Sequence, residues 1–380
     1  MKQQSGWFRG FLVIRRFFFL LNFLLVLYTL LVYQLAYEAD IKHWVAGFLM
    51  MSLPFVWIAN VFFMLIWAIG GSWKLLLSAV VIALGFPFWQ RTFQFNPPAE
   101  AMPPHAISVL SYNTMYMDYF DYYNQGDTAS VKYFVASAPL LDADIECYQE
   151  LYNDDQFVDF QILRKLKRSN QFYTYMHATE GNDQGQGAIG LAIFSKYKMF
   201  NKREVYWKLN NNGILAVDMA VGQDTITVIN MQMHSMGIRL GRVLAVRNDK
   251  DRVKDEARTV LGQLKAGFQE RIHQTAELEK IIRESRYPII LCGDLNELPY
   301  GYAYGRIRKY LANGFEERGR GFGFTYNHLP RYIRIDHVFF QQDHFTILGF
   351  NTLNTLPFSD HYPVKAYLMP KSKSDAWPTD

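Results

Sequence analysis

The stretch Pro288-Ile289-Ile290-Leu291-Cys292-Gly293-Asp294-Leu295-Asn296 decides how this chain folds. Four apolar residues in succession, with no polar alternation, read as a strand covered on both faces, the pattern of a sheet interior. Gly293, Asp294 and Asn296 then stop the run. A strand that ends on Gly-Asp-x-Asn is turning, and it carries a carboxylate and an amide into the turn.

Working outward, further β-type runs occur at 106–112, 142–150, 188–195, 214–221, 225–234, 334–340 and 344–350. One long amphipathic helix, about Lys254 to Ser285, interrupts them. Its apolar Val260, Leu261, Leu264, Phe268, Ile272, Leu278, Ile281 and Ile282 recur at helical spacing. Strands mixed with helices predict an α/β domain of packed sheets with helices outside, spanning 106–370. The polar tail 371–380 is expected to be disordered. Upstream, 92–105 holds Pro97, Pro98, Pro103 and Pro104 and predicts a stiff, extended spacer.

Residues 1–91 are of another kind. Apolar stretches run from about Phe17 to Tyr37, Val45 to Gly70 and Trp73 to Trp89. A bilayer core needs about 20 apolar residues per helix, so the first two fit and the third is short. This predicts a helical transmembrane anchor, with Asn22, Asn60 and Pro54 serving helix packing or kinks. Four cations, Lys2, Arg9, Arg15 and Arg16, precede the first stretch, and only Lys42 lies in the next loop. The N-terminus is therefore expected in the cytoplasm, and three spans put the rest of the chain on the other side. With two spans that conclusion inverts.

The net charge of +4 belongs to this segment: residues 1–91 hold seven cations and two acids, leaving 32 against 33, or −1, beyond. Bulk attraction to polyanions is not implied. Cys147 and Cys292, each in an apolar run, read as buried free thiols. Absent a Cys/His cluster at metal-ligand spacing, zinc is not expected. The Gly-rich 180–190 stretch lacks phosphate-loop spacing and reads as a turn. The basic run Arg239, Arg242, Arg247, Lys250 and Arg252 reads as a solvated loop.

Strand ends carry the polar signatures. Asn113 closes ISVLSYN, Gln149 and Glu150 close DADIECYQE, and Asp294 and Asn296 close PIILCGDLN. Asp336 lies in RIDHVFF and Asp360 and His361 in FSDHYP. Phosphoester hydrolysis builds negative charge on oxygen, which a hard cation neutralises. A thin, oxygen-rich ligand set suits Mg²⁺, with Mn²⁺ as the alternative. An Asp–His pair fixes the imidazole tautomer and favours its charged form.

In this order and spacing the chain resembles the endonuclease/exonuclease/phosphatase family, the DNase I-like fold, over about residues 106–368. GDLNELP, RIDHVFF and SDHYP carry the resemblance. It implies a four-layer α/β sandwich with the site at one edge of two facing sheets. It also implies that Glu150 binds metal, with Asp360 near it and Asn113 helping to hold it. Asp294 would deprotonate the attacking water, Asn296 would hold that water and a phosphate oxygen, and His361, oriented by Asp336, would stabilise the phosphoryl group. The substrate expected is a phosphoester, nucleic acid or phospholipid headgroup.

One position departs from the pattern. Where the family usually carries a phosphate-contacting His, this chain has Gln232, and His234 follows two residues on. Strand alternation would put both on one face. Either His234 substitutes, or Gln232 donates a neutral hydrogen bond, or the contact is lost and the domain is a non-catalytic phosphate-binding module. Thr325, Tyr326 and Arg334 fall near the expected site, and His337 is expected to face away from it.

Overall fold

The computed structural model describes residues 2–97, 102–168, 171–177, 187–207, 212–235, 249–328, 332–356 and 359–371. The Gly-rich turn up to 186, Arg239, Arg242, Arg247 and the tail 372–380 lie outside these. Five helices come first: α1 (Lys2–Glu38), α2 (Trp44–Met51), α3 (Leu53–Ile69), α4 (Leu75–Leu84) and α5 (Phe86–Gln90). The chain runs back and forth through this bundle three times. At one end Arg15 donates to Ser72 in the α3–α4 turn; at the other Trp57 donates to the hydroxyl of Tyr33 at 2.7 Å. Midway, Trp67 donates to Asn22, Asn22 to Ser78, and Asn60 to Thr29. The asparagines therefore tie helices together, as expected of buried polar groups among apolar neighbours.

By length and composition α1 can cross a bilayer from Gly10 to Glu38, and α2 with α3 forms a second candidate bent by 44°. The third apolar stretch is not one helix. It breaks at Gly85, ahead of Pro87, into ten-residue α4 and five-residue α5. Ten residues rise only ~15 Å, half of a ~30 Å hydrocarbon core.

The remainder is a sandwich of two six-stranded sheets. One has the order β10 (Ala312–Asn313), β12 (Asp336–Phe340), β9 (Ile289–Asp294), β8 (Asp224–Gln232), β7 (Asn212–Val221), β6 (Met199–Trp207). The other is ordered β13 (Phe345–Thr352), β14 (Val364–Pro370), β2 (Ile107–Asn113), β3 (Ile145–Asn153), β5 (Ala188–Ser195), β4 (Phe172–His177). Their facing side chains, among them Val109, Cys147, Leu215, Val228, Cys292 and Val338, form the central core. Outside one sheet pack α6 (Tyr119–Gln125), α7 (Ala129–Ser137) and α8 (Ile162–Leu166); outside the other, α9 (Lys250–Glu284) and α10 (Tyr302–Arg308), while α11 (Gly314–Arg318) puts Phe315 into the central core beside β13. The four-layer sandwich expected from the motifs is what forms. Strands β4, β6 and β14 escape a reading for apolar runs, because β6 alternates exposed and half-buried residues and β4 lies at an edge. The long helix starts four residues earlier than its apolar spacing suggests, where the Asp249 carboxylate caps the amides of Asp251 and Arg252.

The 92–105 stretch is not a free spacer. Thr92 shares a hydrogen bond with Tyr300, and Gln94 and Asn96 donate to carbonyls of 316–319. Gln94–Phe95 forms β1, paired with β11 (Arg320–Gly321). Residues 98–101 lie outside the description. Backbone groups satisfied along this segment make it part of the domain surface. Glycines let helices close up at the same seam: a Cβ on Gly47 would meet the Phe268 ring at 2.5 Å, and one on Gly305 the Ala39 side chain at 2.6 Å. Asp40, bonded to Arg306 and Lys309, completes the contact.

Candidate active site

The polar residues picked from strand ends converge because β2 and β3 run parallel, as do β8 and β9, so their carboxyl ends share one edge. In register, Asp294 pairs with Gln232 on one side and Asp336 on the other. The local backbone explains the residue types. At Gly293 φ is +151°, and a Cβ would stand 1.9 Å from the Met231 carbonyl oxygen, so only glycine fits. Asn296 sits at φ +48°, a left-handed position that asparagine tolerates. Glu150 has φ +51° at a bulge where the β3–β5 register slips between Tyr148 and Leu151. The bulge, not strand alternation, aims Glu150 into the site.

Asp294, fully buried, accepts from the Asn296 amide at 2.7 Å, the Asn296 side chain at 3.0 Å and Asn113 at 3.2 Å. Burial first, and Asp336 second, push its carboxyl up to about 8. His361 Nδ1 lies 2.8 Å from Asp336 Oδ2, and its Nε2 lies 3.9 Å from Asp294 and 3.8 Å from Asp360. Burial alone would depress the imidazole; the surrounding carboxylates, Asp336 foremost, outweigh it and raise His361 well above its ordinary value. Glu150 accepts a short bond from the Gln232 amide and is raised by burial. Tyr116, on a left-handed turn spanning 115–118, stands beside Glu150; Tyr326 sets its ring 5.2 Å from that of His361, edge to face.

Gln232 is therefore within the cluster. His234 is beyond the end of β8, so pleat alternation does not govern it. Its amide donates to Gln274 and its carbonyl accepts from Arg271, both on α9. Thr325 and Arg334 are buried clamps: the Thr325 hydroxyl accepts from the amides of Ile335 and Asp336, and Arg334 packs 3.6 Å over Phe315 while donating to the carbonyls of Phe322 and Arg91. His337 points into Tyr304 and Phe339, away from the site.

Beneath the site lies a polar layer of which sequence reading singles out only Gln149. Gln149 donates to Asn230 across the two sheets at 2.7 Å, and Asn230 donates to the carbonyls of Tyr148 and Ala192. Buried Arg271 faces Glu297, whose carboxylate accepts from the amides of Tyr302 and Ala303. For Gln149 and Asn230 the available signal was an amide inside an apolar run, whereas Arg271 and Glu297 sit among other polar residues.

Two groupings could hold a cation. Asp294, Asp336 and His361 offer ligand atoms within 4.8 Å of one another. Asp336 Oδ2 and His361 Nδ1 are already committed to each other, so this trio reads better as a proton-sharing network. Glu150, partly exposed, has an oxygen to offer, with Asp360 and Asn113 near it. Four carboxylates, those of Glu150, Asp294, Asp336 and Asp360, gather here around one imidazole. Such a charge excess and hard-oxygen donor set fit a divalent cation.

This edge, on this sandwich, is that of a phosphoester-cleaving class of proteins. Residues 110–361 match the model of the Endonuclease/Exonuclease/phosphatase family, and the chain belongs to that family. Residues 15–92 match a domain of unknown function, DUF8431. Among solved structures the chain is similar to the human Nocturnin catalytic domain with bound sulfate anion, at 14% identity and TM-score 0.50, covering 73% of this chain and 97% of that one. It is also similar to humanized D. rerio TDP2 (13%, 0.48, 70% and 99%) and to a Bacteroides thetaiotaomicron mannosyl-6-phosphatase (17%, 0.48, 69% and 99%). At such identities the likeness shows the fold alone. No curated protein matches the chain.

Proposed function

We propose that the chain is a membrane-anchored, Mg²⁺-dependent phosphoester hydrolase. The observation that carries this is the pairing of Asp294 with His361 across 3.9 Å, each driven from its ordinary proton affinity by the same buried cluster. With its proton affinity near neutrality, Asp294 can take a proton from an attacking water held by Asn296. Asp336 keeps His361 charged and oriented, so that Nε2–H faces the phosphoryl oxygens as their charge grows. Glu150, with Asp360 and Asn113, would hold the cation, and Gln232 fixes the Glu150 carboxylate. When bound, the cation supplies charge neutralisation at the phosphoryl group.

Anchoring is supported by the length of α1 and by the three passes of the bundle, which leave residues 40 and 91 at the end facing the catalytic domain and Arg15 at the other. With four N-terminal cations, this favours a cytoplasmic N-terminus and a catalytic domain on the far side. The test is hydrolysis by the full-length protein in detergent of chromogenic mono- and diesters with Mg²⁺ or Mn²⁺. The reading requires activity that chelation removes; an inert protein that still binds phosphate would make it a binding module.

A further inference from the structure

We infer that the substrate is an amphiphile, a phosphoester whose head enters the site while its hydrocarbon tail lies along an aromatic ridge leading from the helical bundle. This deepens the phosphoesterase reading and rests on it. The ridge is five rings in sequence. Phe95 lies 4.6 Å from Phe93, Phe93 4.8 Å from Phe322, Phe322 5.1 Å from Phe324 in a parallel stack, and Phe324 5.4 Å from Tyr332. It is not a core. Phe95 is 91% exposed, Tyr332 71% and Phe322 47%. A contiguous exposed apolar strip of this kind marks a contact surface.

Both of its ends are anchored by contacts already described. Phe93 and Phe95 follow directly on α5, and five residues from Gln90 to Phe95 reach at most ~17 Å, so the ridge begins at the boundary of the apolar bundle. Near the other end Phe324, the fourth ring, leads into Thr325, which clamps Asp336, and Tyr326, whose ring meets His361. The opposite lip is aromatic too: Tyr116, beside Glu150, packs 5.5 Å from the 55% exposed Phe120. Rings at a membrane boundary favour the interface between headgroups and acyl chains. Rings can also stack on bases, but binding a nucleic acid strand calls for cations along its path. Residues 92–380 carry 32 cations against 33 acids. A single phosphate with an apolar tail suits the surface better.

The test holds the head constant and varies the tail. Full-length protein in nanodiscs with Mn²⁺ or Mg²⁺ is given p-nitrophenyl ethyl phosphate, p-nitrophenyl dodecyl phosphate below its micellar concentration, and thymidine 5′-p-nitrophenyl phosphate. The dodecyl ester should exceed the ethyl ester in kcat/KM by about tenfold or more, as burial of several methylenes requires. The combined variant Phe95→Ser, Phe322→Ser, Tyr332→Ser should abolish that preference while ethyl ester turnover stays near wild type. Equal rates for the two chain lengths, a preference for the thymidine ester, or equal loss on both alkyl esters in the variant would overturn the amphiphile assignment alone. No turnover of any ester would sink the phosphoesterase reading itself.

Discussion

His361 Nδ1 stands 2.8 Å from Asp336 Oδ2, while its Nε2 faces Asp294 and Asp360 at 3.9 and 3.8 Å. The imidazole therefore keeps its proton because these carboxylates outweigh the burial that alone would strip it.

Replacing Asp336→Asn removes the first of those carboxylates. His361 should lose its proton at lower pH, and Asp294, no longer repelled by Asp336, should ionise at lower pH too. Both limbs of the kcat/KM profile should move to the acid side, and kcat should fall by roughly 10²–10⁴-fold. An unmoved profile would remove Asp336 from its orienting role.

Asp294→Asn keeps the volume and loses the base, so hydrolysis should fall to background in a folded protein. The wild-type group also makes stability depend on pH. Its folded value, about 8, lies above the unfolded value near 3.8, so its contribution is fully present below the unfolded value and is lost as pH rises through about 8. Cation-free protein should melt lower at pH 8.5 than at pH 6. Added Mg²⁺ at 100 times its Kd should restore ~2.7 kcal/mol at the higher pH. Thermal melts with and without Mg²⁺ decide this, and an Asp294→Asn protein should show a flatter pH dependence.

Gln232→Ala deprives the Glu150 carboxylate of one of its side-chain donors, leaving Asn113. A lost hydrogen bond to a charged group is worth about 1–3 kcal/mol, so kcat/KM should drop roughly 5- to 150-fold. Gln232→His should be tolerated, since it can donate to Glu150 and adds charge. Near-normal rates for Gln232→Ala alongside a crippled His234→Ala would transfer the contact to His234.

Arg334→Ala should unfold or loosen the site without touching substrate. The guanidinium, buried against Phe315, ties the carbonyl of Phe322 to that of Arg91, and leaving a buried acceptor without its donor costs on the order of 1–3 kcal/mol each. For the same reason removal of residues 1–96 should depress kcat more than it raises KM, because Tyr300 and the loop behind Asn296 lose Thr92, Trp57 and Arg91. Full activity of the isolated domain would show that the bundle is only a tether.

On the proposed topology a reporter active only outside the cytoplasm, fused at Asp380, should be active, since three membrane passes after four N-terminal cations would carry the domain across. Activity confined to a cytoplasmic reporter would mean that α4 and α5 do not span.

The sequence alone determined the family, the sandwich and most of the residues that gather at the candidate site. Those depend on local facts: apolar runs long enough for buried strands, and turn residues such as Gly293 and Asn296 that the backbone demands where a strand ends on a carboxylate. Glu150, Asp294, Asp336 and His361 were legible as polar residues set beside apolar runs: Asp294 closes β9, Asp336 opens β12, His361 precedes β14 and Glu150 interrupts β3. Tertiary structure decided the rest. Whether Gln232 or His234 meets Glu150 turns on where β8 stops, which depends on α9 capturing the His234 backbone through Arg271 and Gln274. Glu150 itself is aimed by a bulge that strand alternation does not foresee. Thr325 and Arg334 became clamps instead of substrate contacts through partners that only folding brings near, the amides of Ile335 and Asp336 for Thr325 and the carbonyl of Arg91, 243 residues away, for Arg334. The proline-rich stretch read as a spacer for the same reason. Composition reports stiffness, but only the packed neighbours of Thr92 and Gln94 report that the segment is held.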